Sequence, residues 1–265
     1  MARRFDPGYG EQPYRKLVED DPGKTAYPIT DFRVEWGPVF HRGRLDGSAR
    51  VLVIGQDPAQ HETIARRNLI GEAGRRLQGF LTKLGVERSY VMVNTYLYCL
   101  LGKKGNQHRN NKKIAAYRNK WLEAIFDSSD IEAVIALGSL AESSWETFKA
   151  TPAGQNVNAE FVRITHPTQP ESSGGPHAAA IKALLQNWNT GLQKLHPLQN
   201  PDRPGPLRLF GDKFGPGDKS PIPVEDLPAG SPEWMAIEDN WADRTGTGQT
   251  KRRTITVTVP KEYLS

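Results

Sequence analysis

An acid and an imidazole occupy corresponding places in this chain. Asp57, in Gly55-Gln56-Asp57-Pro58, directly follows the apolar run Val51-Leu52-Val53-Ile54. His166, in His166-Pro167, follows Phe161-Val162-Arg163-Ile164 in the same way. Open α/β sheets hold their ligands at the carboxyl ends of the strands, so a carboxylate and a histidine there can meet over one substrate. Asp-Pro alone is a common turn pair, and the other strand ends carry the decision. Two more β-type runs, Tyr90–Asn94 and Ala133–Leu137, lead into Asn94-Thr95 and Gly138-Ser139. All four runs therefore end on a polar residue or glycine, which points to one cleft along one sheet edge.

The elements that must position these residues follow from the pattern between them. Arg50–Ile54, Tyr90–Asn94, Ala133–Leu137 and Phe161–Ile164 are apolar throughout or nearly so, as strands covered on both faces are. Helical spacing of apolar residues recurs over Glu72–Leu84, Ile114–Phe126, Ser139–Phe148 and His177–Leu195. Alternating strands and helices give an α/β fold class, a three-layer α/β/α sandwich on a central four-stranded parallel sheet with right-handed crossovers. N- and C-terminal extensions are expected to pack on it. Residues 1–49 read as the first extension, with a packing cluster at Phe32–Trp36; residues 50–196 form the catalytic domain. Residues 197–265 form a Pro-rich extension holding half of the chain's 20 prolines. Within it Trp234, Trp241 and the alternating run Thr254–Val259 indicate folded parts, the run being an edge strand or a docked peptide.

Bulk properties narrow the classes. The single cysteine, Cys99, allows no internal disulfide and supports no metal or iron–sulfur site on its own. Met1-Ala2-Arg3-Arg4 is not followed by an apolar stretch, so no signal peptide is expected, and the apolar runs are too short for a bilayer. A soluble intracellular protein is the expectation. The net charge of +5 is less informative than its distribution: from Arg88 to Leu122 there are eight Lys or Arg and no Asp or Glu. This basic stretch follows a strand, on the Asp57 edge, which makes Lys103, Lys104, His108, Arg109 and Lys112 candidates for phosphate contacts. A nucleotide hydrolase would need a G-x-G-x-x-G or Walker loop, and the chain has neither.

Five motifs in order carry a resemblance. Gly55-Gln56-Asp57-Pro58 is similar to the first motif of the common uracil-DNA glycosylases, within a longer frame G-x-x-P-x-x-x-E. Leu69-Ile70-Gly71-Glu72-Ala73-Gly74 resembles the segment of the thermostable iron–sulfur branch that carries the base-stacking ring. Val91-Met92-Val93-Asn94-Thr95 resembles the strand bearing the uracil-reading asparagine. Ile135-Ala136-Leu137-Gly138-Ser139 and Ile164-Thr165-His166-Pro167-Thr168 resemble the third-strand and second catalytic motifs. Over roughly residues 35 to 195 the chain is identified as a member of the uracil-DNA glycosylase superfamily, in a divergent branch without the cluster cysteines.

The resemblance implies a monofunctional glycosylase acting on uracil in single- or double-stranded DNA, without cofactor or metal, as a monomer in a bacterial cytoplasm. It implies roles as well. Asp57 would stabilise the sugar cation and orient or deprotonate the attacking water, and His166 would donate to uracil O2. Gln56, Ala59, Leu69 and Asn94 would line the uracil pocket, with the Asn94 amide matching uracil N3–H and O4 and opposing cytosine at both. A buried base must be flipped out, and the loop Thr168, Gln169, Pro170, Glu171, Ser172, Ser173 would meet the DNA. Relatives insert a leucine there; Pro170 stands at the comparable offset, beside Glu171, whose charge would repel phosphate. Ala59 replaces the tyrosine that blocks the thymine methyl, leaving that task to Gln60 or His61, or leaving selectivity looser. Leu69 replaces the stacking ring. An alternative of a different class is a uracil-DNA-binding protein that traps the site covalently through His108 in the basic loop.

Overall fold

The computed structural model describes residues 10–248 and 253–264. Its central sheet contains β1 (Arg42–Gly43), β2 (Val51–Gly55), β3 (Tyr90–Asn94), β4 (Ala133–Leu137) and β5 (Glu160–Ile164), in the order β1-β3-β2-β4-β5. β2 to β5 run parallel, and β1 pairs antiparallel with β3 through Arg42–Met92 and Gly43–Val91. The four expected parallel strands are thus present, and the sheet count is corrected to five by a short strand from the stretch before residue 50.

The described helices are α1 (Tyr14–Glu19), α2 (Gln60–Ala65), α3 (Gly71–Lys83), α4 (Lys112–Ser128), α5 (Ser139–Lys149), α6 (Pro152–Gln155), α7 (Gln169–Ser172), α8 (His177–Leu195) and α9 (Trp234–Ile237). Strand side chains alternate between two cores, as the pleat requires. Leu52, Ile54, Val91, Val93, Val134 and Ala136 meet α1, α4 and α5 on one face. Val51, Val53, Met92, Ile135, Val162 and Ile164 meet α3 and α8 on the other. This two-sided burial explains why β2, β3 and β4 read as unbroken apolar runs; each fully buried aliphatic side chain contributes about 1.5–3 kcal/mol. β5, expected to be covered on both faces, instead lies at the sheet edge and exposes Glu160 and Arg163. No helix among the described residues is long and apolar enough to cross a membrane.

The segment after His196 packs on these layers. Leu198 and Phe210 join the α3/α8 core, and Ile222, Leu227, Trp234 and Trp241 form a third cluster with Ala65 and Ile70. The alternating run contains β7 (Ile255–Val257), which pairs antiparallel with β6 (Ala242–Arg244). Asp226 is fully buried and accepts from Arg44 at 2.9 Å, from Arg42 at 3.4 Å and from the Tyr90 hydroxyl. Breaking a buried pair of this kind leaves an unpaired charge in a dry place, at a cost of about 3–5 kcal/mol. The extension is thereby locked to the sheet edge.

Candidate active site

β2 and β3 lie side by side in parallel register, with Gly55 opposite Asn94. A Cβ on Gly55 would stand 2.3 Å from Asn94 Oδ1, so only glycine lets the two strand ends close on that amide. Beyond the strands the chains stay joined: Thr95 N–H and its hydroxyl bind Gly55 O at 2.9 and 3.0 Å, and Tyr96 N–H binds Gln56 O at 2.9 Å. Asp57 is then fixed from two sides. One carboxylate oxygen accepts the Leu100 N–H at 2.9 Å, and the other accepts the Gln56 amide at 2.9 Å. Burial raises its carboxyl pKa above the ordinary value; these two donors, Arg244 and Arg33 oppose the shift without cancelling it. Arg33 reaches the same place by donating to Leu100 O at 2.6 Å and to Cys99 Sγ at 3.2 Å. Burial pushes the Cys99 thiol up to about 12, so it stays protonated.

Asn94 is buried and gives one amide hydrogen to Asn68 Oδ1 at 3.0 Å. Asn68, fully buried, is held in turn by its own donations to Phe40 O (3.2 Å) and Met92 O (3.3 Å). The Asn94 amide is therefore aimed by a second amide that the sequence pattern did not mark. Leu69 packs near Gly55 and holds a left-handed φ of 55°, rare for a side chain of its size. Its carbonyl would lie 1.8 Å from a Cβ on residue 74, so Gly74 lets α3 sit against the Leu69 backbone. That contact is a physical reason for the Gly-x-Ala-Gly spacing.

Glu62, the last residue of the G-x-x-P-x-x-x-E frame, accepts the Ala59 N–H at 3.0 Å and the Ile70 N–H at 3.1 Å. It ties the Asp57 loop to the Leu69 loop. Burial, with Asp57 adding, pushes its pKa up from 4.5 to about 7. A carboxyl raised on folding stabilises the protein fully below its unfolded pKa, and that contribution fades as pH rises through the folded value. It amounts to about 3 kcal/mol here. Wild type should therefore lose melting temperature between pH 5 and pH 8 relative to Glu62→Gln, which lacks this titration. Parallel melting-temperature profiles for the two proteins would contradict the assignment.

His166 follows β5, and β4 lies between β5 and β2, so the strands leading to His166 and to Asp57 are two strand spacings apart, about 10 Å. Thr168 N–H points at His166 Nδ1 at 3.3 Å. Nδ1 is thus the acceptor and the ring proton sits on Nε2. Burial lowers the His166 pKa to about 4, with Glu171 opposing. The histidine is a neutral donor near neutral pH.

The loop behind it forms α7, with Thr168 preceding it. Pro170 is buried, whereas Gln169 and Ser172 are exposed and Ser173 is partly so. Glu171 is bound by Arg76 at 2.8 Å, and Arg76 also binds Pro167 O (2.6 Å) and Glu72 (2.6 Å). The Glu171 charge expected to repel phosphate is therefore paired with a guanidinium. In the basic stretch, Lys103 and Lys112 are exposed and Arg109 binds Asn106 at 3.1 Å. Lys104 and His108 bind Asp31 at 2.6 and 3.0 Å, and His108 packs its ring on Phe32 with centroids 4.8 Å apart. These two hold the loop to the body of the protein. Among the described residues, no group of three or more His, Cys, Asp or Glu is placed to hold a metal ion.

Comparison with known proteins adds one strong finding. The family model "Uracil DNA glycosylase superfamily" matches residues 42–185, from β1 into α8. No curated protein sequence matches the chain. A solved structure of a protein of unknown function, AF0587, is 13% identical with a TM-score of 0.29; the match covers 54% of this chain and 53% of that one. The chain spans about half the length of that neighbour, which carries no argument about function.

Proposed function

We propose that this chain, which belongs to the uracil DNA glycosylase superfamily, excises uracil from DNA by hydrolysing its N-glycosidic bond. The observation that carries the reading is the pairing of Asp57 and Asn94 at adjacent strand ends, with Gly55 packed on the Asn94 amide. Uracil N3–H would donate to Asn94 Oδ1, and the amide hydrogen not used by Asn68 would donate to O4. Cytosine presents the opposite pattern at both atoms and would leave buried polar groups unpaired, the strong form of discrimination.

Bond breaking leaves an oxocarbenium-like sugar and a uracil anion. Asp57, an acceptor fixed by Leu100 and Gln56, is suited to stabilise that cation and to take a proton from water. His166 Nε2–H, two strands away, is suited to meet negative charge growing on uracil O2. Leu69 would pack against the base face where relatives place a ring.

The reading amide supplies the test. Asn94→Asp replaces the donor facing O4 with a carboxyl oxygen, and its uracil-to-cytosine rate ratio should fall by about two orders of magnitude. Base release from matched uracil and cytosine oligonucleotides measures it. An unchanged ratio in an active variant would remove Asn94 from the reading role.

A further inference from the structure

The family match ends at residue 185, yet part of the later chain packs on the helix that follows Asp57. His61, on the helix that starts three residues after Asp57, accepts the backbone N–H groups of Trp241 and Ala242, each at 3.2 Å. Its ring meets Trp241 edge-on at 4.9 Å, and Trp241 meets Trp234 at 5.4 Å. Burial lowers the His61 pKa to about 4, with Asp243 and Asp239 opposing. The ring therefore stays a neutral acceptor near neutral pH. β6 starts at this contact and is braced by β7 through Ala242–Val257 and Arg244–Ile255. Just before β7, Arg253 comes within 3.9 Å of Glu35, two residues after Arg33.

Two residues past the buried Ala242, Arg244 shares its face of the strand and is exposed. Among the described residues it is in no ion pair. Its guanidinium is in electrostatic reach of both Asp57 and Cys99. A catalytic carboxylate repels the DNA backbone, so a polyanionic substrate needs cations near it. A guanidinium on a braced strand suits a phosphate, because its planar fork can bind two oxygens and little freedom remains to be lost.

We propose that the β6–β7 hairpin is a DNA-contacting element and that Arg244 binds a backbone phosphate beside the excised base. The proposal rests on the reading of DNA as substrate. Anisotropy titration of the full chain with an oligonucleotide carrying an uncleavable abasic analogue, over a salt series, tests it. Arg244→Glu should bind about tenfold more weakly at low salt and reduce the slope of log affinity against log salt by about one. Arg244→Lys should retain most of both, showing that charge rather than hairpin structure is at issue. Wild-type affinity and slope in Arg244→Glu would overturn the proposal. Uracil release by the unaltered chain, measured in parallel, separates the two readings. Release together with an indifferent Arg244 refutes only the hairpin contact, and an Arg244-dependent affinity without release refutes only the glycosylase.

Discussion

Asp57→Asn is expected to slow uracil release about a thousandfold while leaving DNA affinity within a few-fold of wild type. The magnitude is that of removing a positioned acid–base group. Asparagine has the same shape, so its oxygen can keep the Leu100 N–H, and the Gln56 amide can rotate to present its oxygen to the new NH2. What would disappear is the anion proposed to face the sugar cation and to take the water's proton. The pH dependence should change too. In the proposed mechanism the carboxylate is the active form, and burial holds its pKa above the ordinary value. Wild-type single-turnover rate should therefore rise through a raised carboxyl pKa and then level, and the variant should lose this limb. A variant within tenfold of wild type, with the limb intact, would remove Asp57 from the chemistry.

His166→Ala should lose about a hundredfold or more in single-turnover rate, the usual effect of removing one donor to developing negative charge. With Nδ1 accepting from Thr168 and a pKa near 4, His166 would act as a neutral Nε2–H donor across the working range. No histidine titration near the ordinary value of 6.5 should therefore appear in the wild-type rate profile. His166→Gln, which can present an amide N–H, should recover part of the loss. Equal losses in both variants would argue for a packing role instead.

What the sequence revealed, and what it hid, follows from the range of each interaction. Parallel strands buried on both faces announce themselves as apolar runs, and the residues at their ends could be picked out at once. β1 could not. It is two residues long, and Arg42 is buried inside it only because Asp226, far along the chain, takes its charge. Asn68 carries no signal in the sequence because its partners Asn94, Phe40 and Met92 come from elsewhere in the chain. Glu171 read as an obstacle to DNA until Arg76 was seen against it. The sequence offers His61 only as a barrier to the thymine methyl, whereas it accepts two backbone hydrogens from the C-terminal segment. In each case the chemistry of the residue was visible and its partner was not.

The central claim is that Asp57, Asn94 and His166 together excise uracil from DNA. Its most direct test is free uracil released by the unaltered chain from single- and double-stranded oligonucleotides, beside matched substrates carrying hypoxanthine, xanthine or thymine. The account predicts multiple-turnover release of uracil that is abolished in the Asp57→Asn protein. A folded chain that binds these oligonucleotides and releases no uracil would contradict it.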